Sequence, residues 1–292
     1  MWLIVAKAAP ISNRLHSTCL VYNARRIEKV SAPSARCPWV FSNYCNIAIV
    51  ELMTHTPPSP TGPNYPHHVA FIPDGNRRWA KEHGLKAWDG HRHGLKVAHE
   101  LFTEAAKLGI PYVTFWAASE DNLRKRSRME VKVLALLLRE ELADGLKTGR
   151  YVKNQVRVRI IGRWHSILKD EKLLKLVKKV EAETRHFTKN HLTLLFGYDG
   201  HTEMLEAMKK LKVADETVSD ENLRSRLWTG DLPQVDLVIR TGGEPHWSAG
   251  FMMWHVANAQ LYFTDAFWPA FRIPQFHKAL AEYTRRERRF GK

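Results

Sequence analysis

Cysteine and long apolar runs are scarce in this sequence. The 292 residues include three cysteines, Cys19, Cys37 and Cys45, and no two of them have the spacing of metal ligands. The chain beyond Cys45 contains no cysteine, so we expect no disulfide framework, zinc site or cysteine nucleophile there. This scarcity is typical of proteins in a reducing compartment. No stretch approaches the roughly 18 apolar residues that span a bilayer. We expect a cytoplasmic protein, with peripheral membrane association as the alternative. The GxxxxGK[ST] motif of P-loop nucleotide sites is also absent.

Positive charge is the most unusual property of the composition. The chain has a formal net charge of +15, although its 44% hydrophobic and 26% charged residues are ordinary for a globular protein. Such a surplus favours polyanionic partners: nucleic acid, anionic membrane or phosphorylated substrates. Most aromatic residues lie in apolar runs typical of a core and not in basic strips that stack bases. We therefore expect no nucleic-acid partner and keep nucleic-acid binding as the least favoured alternative.

A proline-rich linker at 56–63 divides the chain. Proline removes backbone donors, so this segment forms neither a helix nor a central strand. We expect residues 1–66 to be an N-terminal extension with linker, either disordered or lying upstream of a true start at Met53. Residues 1–27 contain arginine and serine but no acid, so a targeting segment is the alternative. Residues 67–292 form the body, which we expect to be a single domain.

Apolar runs and amphipathic stretches alternate along the body. Runs at 68–72 and 112–116 predict buried strands, and the stretch 91–108 between them has apolar residues at helical spacing. Similar patterns predict further strands at 156–161, 192–196, 235–239 and 260–263, and further helices at 130–147, 170–188, 201–212 and 275–289. Strands separated by helices form βαβ units. We expect an α/β fold, a single domain with a mostly parallel six-stranded central sheet flanked by helices.

The residues that follow the first predicted strand are candidates for a ligand site, because parallel sheets bind ligands beyond the C-terminal ends of their strands. They are Asp74, Gly75, Asn76, Arg77, Arg78 and Trp79. Glycine lets the backbone approach a ligand, and arginine suits bidentate phosphate contacts. Asp74 among these cations is a candidate Mg²⁺ ligand, since Mg²⁺ favours one or two carboxylates with substrate phosphates. A helix N-cap followed by a solvated arginine face is the alternative.

Two more strand ends carry polar and basic residues. The second strand is followed by Ser119, Glu120, Asp121, Asn122, Arg124, Lys125, Arg126 and Arg128, and the fifth by Arg240, Gly242, Gly243, Glu244 and Ser248. A basic run is usually a solvated helix start, but here it begins at the C-terminal end of a strand. Two turns with glycine and arginine at one sheet edge predict a site for two phosphate-bearing groups.

Six motifs, in order, resemble the cis-prenyltransferases, the undecaprenyl diphosphate synthase family. They are HVAFIPDGNRRWA, GHRHG, SEDN, DLVIRTGGE, LYFTDAFWPAF and RERRFG, and the resemblance covers essentially all of 67–292. It implies a catalytic domain that condenses isopentenyl diphosphate with an allylic diphosphate, such as farnesyl diphosphate, to form a Z-polyprenyl diphosphate, a lipid-carrier precursor. It also implies Mg²⁺ as cofactor, a homodimer, and peripheral membrane association through the product.

The same resemblance implies roles for individual residues. By the family pattern Asp74 holds Mg²⁺ on the allylic diphosphate, which is cradled by Gly75, Asn76, Arg77, Arg78 and His91. Ser119 and Asn122 match positions implicated in the loss of the isopentenyl proton. Arg240 and Ser248 match the isopentenyl diphosphate site. Arg289 and Gly291 match a terminal element that reaches across the homodimer interface. We extend the candidate substrate contacts to Trp79, Asp121, Lys125 and His246.

The sequence departs from the family pattern at several of these places. Ala87 and Lys125 stand where arginines are usual, and His246 or Trp247 replaces another expected arginine. Gln260 stands at the second acidic, metal-associated position, and an amide is a weaker Mg²⁺ ligand than a carboxylate. These changes predict a divergent branch with altered chain length or allylic substrate. A non-catalytic partner subunit of a heteromeric cis-prenyltransferase is the alternative, disfavoured because the segment 74–79 is intact.

The amphipathic helices predicted at 91–108 and 130–147 have two interpretations. Their apolar faces are expected to line a tunnel for the growing hydrocarbon, or to pack into the core. We expect both to hold, for different residues. Product length then depends on side-chain bulk in the tunnel, which the sequence does not locate.

Overall fold

The computed structural model describes residues 64–286 and three short strands that precede them. Strands β1 (Leu3–Val5), β2 (Leu20–Asn23) and β3 (Arg26–Lys29) form an antiparallel sheet in the order β1-β2-β3. The sequence analysis predicted no strand in this segment. The chain divides into two compact units, Met1–Pro60 and Thr61–Lys292.

The second unit is built on a six-stranded sheet. Its strands are β4 (His68–Ile72), β5 (Tyr112–Ser119), β6 (Val156–Ile161), β7 (Asn190–Tyr198), β8 (Leu237–Arg240) and β9 (Gln260–Phe263). The strand order is β6-β7-β5-β4-β8-β9, and every neighbouring pair is parallel. The predicted α/β fold with a six-stranded central sheet is confirmed, and the sheet is parallel throughout.

Strand β4 shows why this sheet is buried. All five of its residues are buried, as expected for a parallel strand covered on both faces. Val69 and Phe71 pack into one hydrophobic cluster, whereas Ala70 and Ile72 pack into another, because successive side chains of a strand point to opposite faces. The apolar run in the sequence therefore fills two cores at once.

Helices surround the sheet. They are α1 (Asn76–Glu82), α2 (Ala87–Lys107), α3 (Glu120–Lys125), α4 (Arg128–Lys147), α5 (Arg150–Lys153), α6 (Trp164–Leu168), α7 (Glu171–Thr184), α8 (Gly200–Val213), α9 (Asp220–Arg226) and α10 (Ile273–Arg285). Helices α2, α4, α7 and α10 contribute to the cluster that contains Phe71. Among the residues that the structure describes, no helix is long and apolar enough to cross a membrane.

The five long helices lie where the sequence predicted them, with shifted ends. Helix α7 stops at Thr184, short of the predicted 188, because the Phe187 amide closes a turn on the Thr184 carbonyl. Helix α10 is described to Arg285, and residues 287–292 lie outside the described part of the chain. The short helices α1, α5, α6 and α9 were not predicted, since four to seven residues show too little periodicity.

Candidate active site

The C-terminal ends of the adjacent strands β5, β4 and β8 open into one cavity of about 1060 Å³, which we call the main cavity. Twelve of the predicted site residues line it: Asp74, Gly75, Asn76, Arg77, Arg78, His91, Ser119, Asp121, Asn122, Arg240, His246 and Ser248. The structure therefore brings the two predicted phosphate turns to one place, as the sheet-edge argument required.

The turn after β4 depends on Gly75. Its φ is +97°, a conformation that favours glycine, and a Cβ atom there would lie 2.5 Å from the Phe267 ring. The Gly75 amide donates to Asp74 Oδ1 at 2.6 Å. Glycine thus lets the chain reverse directly into α1 while its own amide orients the Asp74 carboxylate.

Asp74 lies between two arginines from different turns. Its Oδ1 is 3.2 Å from Arg78 NH2, and its Oδ2 accepts from Arg240 NH2 at 3.2 Å. The Asp74 side chain is 38% exposed and the Arg240 side chain 5%, so the carboxylate faces the cavity while Arg240 forms its floor. This cluster of one anion and two cations is the electrostatic centre of the site.

Arg240 is buried at the end of β8 and is held in place by the following loop. Its NH1 donates to Ser248 Oγ at 2.6 Å and to the His246 carbonyl at 3.0 Å. Burial lowers the pKa of Arg240, and Asp74 opposes this effect. Because an arginine side chain remains protonated in proteins, Arg240 is a fixed cation with its fork directed by the two partners.

Thr241 and Gly242 join the two phosphate turns, and the sequence analysis missed this role of both. The Asp74 amide donates to Thr241 Oγ1 at 2.9 Å, and that hydroxyl donates to the Asp74 carbonyl at 2.8 Å. A Cβ atom at Gly242 would lie 3.1 Å from Asp74 Cβ. A threonine after a strand is common in loops and gives no signal in the sequence. The connection becomes visible only once β4 is known to pair with β8.

A buried carboxylate, Glu130, organises the opposite wall. It is 6% exposed, accepts from Arg126 NH1 at 3.0 Å, and has His91 Nε2 at 3.2 Å and Arg77 Nε at 3.9 Å. Burial lowers the pKa of His91, and the neighbouring Arg126 lowers it further, whereas Glu130 opposes both effects. The sequence analysis did not identify Glu130, and it placed Arg126 only in a basic run.

Ser119 and Asn122 cap helix α3. The Asn122 amide donates to Ser119 Oγ at 3.0 Å, and the Ser119 amide is 3.5 Å from Asn122 Oδ1. This reciprocal capping box fixes both side chains at the wall of the main cavity, beyond the end of β5.

Two of the predicted site residues, Lys125 and Trp79, do not line the main cavity in the described part of the chain. Lys125 is exposed and pairs with Asp121 at 2.7 Å, and Arg126 occupies the wall instead. Trp79 stacks on His83, with ring centroids 4.1 Å apart. Arg289 and Gly291 lie outside the described residues.

Gln260 is far from Asp74 within the chain. It begins β9, opposite Leu237, whereas Asp74 follows the C-terminal end of β4. The two residues therefore lie at opposite ends of the sheet, and the concern that an amide weakens the Asp74 metal site does not apply within one chain. Its Oε1 is buried and has no hydrogen-bond partner in the described part of the chain.

A magnesium ion fits the main cavity only together with phosphate oxygens. In the described range, no group of three or more histidine, cysteine, aspartate or glutamate residues could hold a metal. Asp74 supplies one carboxylate that faces the cavity. That donor set suits Mg²⁺, which takes one or two carboxylates and completes its shell with water and substrate phosphates.

A narrow apolar cavity of about 80 Å³ extends from the main cavity between α2 and α4; we call it the apolar channel. Pro73, Asn76, His91 and Ala117 line both spaces. Its helical wall consists of Leu95, Ala98, Phe102, Leu134, Leu137 and Leu138. Several of these residues also belong to the hydrophobic core, as the core-packing interpretation of the two helices requires. The interpretation of their apolar faces as a tunnel for the growing hydrocarbon stays a prediction.

Comparison with known proteins identifies close relatives of this arrangement. The family model described as undecaprenyl diphosphate synthase matches residues 72–291. The isoprenyl transferase of Aquifex pyrophilus is 40% identical over 228 residues, which are 78% of this chain and 96% of the relative. The tritrans,polycis-undecaprenyl-diphosphate synthase (geranylgeranyl-diphosphate specific) of Thermoplasma volcanium is 36% identical over 234 residues, 78% of this chain and 89% of the relative.

A solved structure has the same fold. The crystal structure of lavandulyl diphosphate synthase from Lavandula x intermedia in complex with dimethylallyl diphosphate matches with a TM-score of 0.72 at 29% identity. The match covers 78% of this chain and 99% of that protein. The shared fold thus spans essentially the whole body of the chain described above.

Proposed function

Because the chain belongs to the undecaprenyl diphosphate synthase family of prenyltransferases, we propose that its main cavity condenses isopentenyl diphosphate with an allylic prenyl diphosphate. The product is a Z-polyprenyl diphosphate, a lipid-carrier precursor. The observation that carries the proposal is the position of Asp74 between Arg78 and Arg240, which come from two turns at one sheet edge. Two cationic turns suit two diphosphate groups.

The apolar channel supports a specific assignment of the two substrates. It opens beside Asn76 and His91, on the side of the turn after β4. An allylic substrate has a long hydrocarbon tail, so its diphosphate lies at Gly75–Arg78 with the tail in the channel. The short isopentenyl diphosphate lies on the other side, at Arg240, His246 and Ser248.

The chemistry follows from where charge develops. The allylic carbon–oxygen bond breaks, and negative charge grows on the leaving diphosphate, where Arg77 and Arg78 stabilise it. Asp74 would hold Mg²⁺, which would supply a Lewis acid for the charge that develops on the same diphosphate. The isopentenyl double bond attacks the allylic carbon, a carbon–carbon bond forms, and a proton leaves to give the new double bond. Ser119 and Asn122 orient the isopentenyl group for that loss.

Other expected properties of the protein rest on the family resemblance alone. We expect a cytoplasmic homodimer in which Arg289 and Gly291 complete the partner's site, with membrane contact through the product and no nucleic-acid partner. We also expect residues 53–292 to be active without the segment that precedes them. A non-catalytic partner subunit is disfavoured, because Asp74 and both of its arginine partners are present and adjacent.

Replacement of Asp74 tests the proposed function. With Mg²⁺, labelled isopentenyl diphosphate and farnesyl or geranylgeranyl diphosphate, the chain is expected to form longer prenyl diphosphates. Asp74→Ala should reduce turnover on the order of a hundredfold or more, because both the metal ligand and the partner of Arg240 are lost. Asp220→Ala, which removes an exposed carboxylate of α9, is the matched control and should retain activity. Full turnover by Asp74→Ala with native circular dichroism would refute the proposal.

A further inference from the structure

Glu120 is a buried carboxylate that the chemistry proposed above does not use. It is the first residue of α3, directly after Ser119, and its side chain is 11% exposed. Glu120 does not line the main cavity, whereas its neighbours Ser119, Asp121 and Asn122 do. A carboxylate withdrawn from water is costly unless cations and hydrogen bonds compensate it. The partners of Glu120 therefore indicate what it does.

Two arginines surround the Glu120 carboxylate. Its Oε1 accepts from Arg124 Nε at 2.8 Å, and Arg163 NH1 lies 3.8 Å from the same oxygen. Its Oε2 is buried and has no hydrogen-bond partner in the described part of the chain, so the carboxylate depends on the contacts of Oε1. Arg124 belongs to α3 itself, whereas Arg163 lies between β6 and α6. The pair with Arg163 therefore connects α3 to another part of the fold.

Arg163 is itself fixed to the sheet. Its amide donates to the Gly197 carbonyl in β7 at 2.9 Å, and its own carbonyl accepts from the Ser166 amide of α6 at 3.1 Å. Strand β7 pairs with β5, the strand that leads directly into α3. Arg163 thus offers Glu120 a cation whose backbone position is set by the sheet.

Helix α3 needs such an anchor, because a helix of six residues is not stable by itself. Its buried residues are Glu120 and Leu123. Leu123 packs closely on β7, since a Cβ atom at Gly197 would lie 2.9 Å from Leu123 Cδ1. An apolar contact at one point limits the distance between the helix and the sheet, but it does not fix the rotation of the helix. The pair of Glu120 with Arg163 supplies a second contact, which has a direction.

We propose that Glu120 is a positioning residue that sets the rotation of α3 through Arg163. The helix in turn holds Ser119 and Asn122 toward the isopentenyl group. This inference rests on the proposed function. Ser119 and Asn122 form the capping box at the first turn, beside Glu120, so their side chains move with the helix. Loss of the charged pair would leave the turn after β4 unchanged and would slow the proton loss that completes each condensation.

Removal of either charge tests this inference. Arg163→Gln and Glu120→Gln are each expected to slow the single-turnover rate of the first condensation about 10-fold, because a small displacement of orienting groups is costly. The KM for the allylic diphosphate should stay within about twofold, since the turn after β4 is untouched. Arg163→Lys keeps the charge and should recover most of the rate. Arg159→Gln removes an arginine of β6 that pairs with Asp231, and as the matched control it should leave the rate unchanged.

A deuterium isotope effect distinguishes positioning from a general loss of stability. The substrate is isopentenyl diphosphate deuterated at C2, the carbon that loses the proton. In Arg163→Gln the isotope effect on the single-turnover rate should rise above the wild-type value, because proton loss becomes more rate-limiting. A variant that is merely unstable would contain fewer active molecules with an unchanged isotope effect. Arg163→Gln added to Glu120→Gln should cost nothing further, because residues that act as one unit are not additive.

The results that would overturn the inference differ from those that would overturn the proposed function. Wild-type rates and isotope effects in both single variants would overturn the inference alone. Additive losses in the double variant, or an Arg163→Lys variant as slow as Arg163→Gln, would do the same. Absence of product from the wild-type chain would overturn the proposed function, and the inference with it.

Discussion

At the scale of single residues, Asp74 has two tasks that the sequence does not separate. Its carboxylate is the candidate metal ligand, and it also pairs with Arg78 and with the buried Arg240. Without a diphosphate, this one anion partly balances both cations. A bound diphosphate would compete for the same arginines and would leave the carboxylate available to Mg²⁺. Metal and substrate are therefore expected to bind together, since Mg²⁺ relies on substrate phosphates for its remaining ligands.

Two fully buried histidines, His68 and His255, lie away from the main cavity. His68 Nε2 is 2.8 Å from Thr114 Oγ1, and its Nδ1 is 3.0 Å from the Pro233 carbonyl. Burial lowers the pKa of each histidine from its ordinary value to about 4. Both imidazoles are therefore neutral in the folded chain over the range in which they would be charged in the unfolded chain.

We predict that acid destabilises the fold through these histidines. Between pH 6.5 and about 4 the unfolded chain binds more protons than the folded chain, so the free energy of unfolding falls as the pH falls. Each histidine contributes about 1.4 kcal/mol per pH unit inside this window. Urea unfolding at a series of pH values measures the slope. His255→Gln should make the slope shallower, with the contribution of His68 remaining, and the exposed His186→Gln should not change it. A flat wild-type profile would contradict the prediction.

At the scale of elements, the site is formed by two turns that contact each other, one after β4 and one after β8. Gly75 follows β4 and Gly242 follows β8, and both have positive φ. The sequence predicted both turns, because glycine after a buried strand at a sheet edge is a local signal. It did not predict the contact of Gly242 with Asp74, because that contact depends on the parallel pairing of β4 with β8, distant in sequence.

The contact of Gly242 can be tested against a glycine with similar backbone geometry. A Cβ atom at Gly242 would lie 2.8 Å from Arg78 NH2 and 3.1 Å from Asp74 Cβ, whereas Gly109, with φ +75°, has open space around it. Both Gly→Ala variants should lose about 1 kcal/mol of stability from positive φ. Gly242→Ala alone should also lower kcat/KM by about 10- to 100-fold, by displacing Asp74. Equal kinetics of the two variants would speak against the contact.

Helix α3 shows where prediction from sequence stops. The sequence motif SEDN marks the start of this helix, because Ser119 and Asn122 form a local capping pattern. The helix ends at Lys125, and the extended backbone of Arg126 that follows turns this side chain toward Glu130. Lys125 and Arg126 are adjacent and both basic, so only the end of the helix and the buried carboxylate on α4 decide which one lines the main cavity.

At the scale of the whole molecule, the six-stranded sheet has charged residues at the C-terminal ends of its strands, and an apolar channel begins beside them. The C-terminal strand ends carry the cations of the main cavity, and the channel leads away between α2 and α4. This polarity matches an amphiphilic substrate with a diphosphate head and a hydrocarbon tail. The alternation of strands and helices predicted the sheet and the edge that binds ligands. The path of the channel could not be predicted, because it depends on how side chains from several elements, among them α2, α4, β5 and β7, pack together.

The geometry of the new double bonds is the most direct test of this account. The full chain is incubated with Mg²⁺, isopentenyl diphosphate labelled with ¹³C, and farnesyl or geranylgeranyl diphosphate, and the product is examined by NMR. The account predicts that every newly formed double bond is Z, on an allylic starter whose own bonds are unchanged. New bonds of E geometry, or unreacted substrates with the folded wild-type chain, would contradict it.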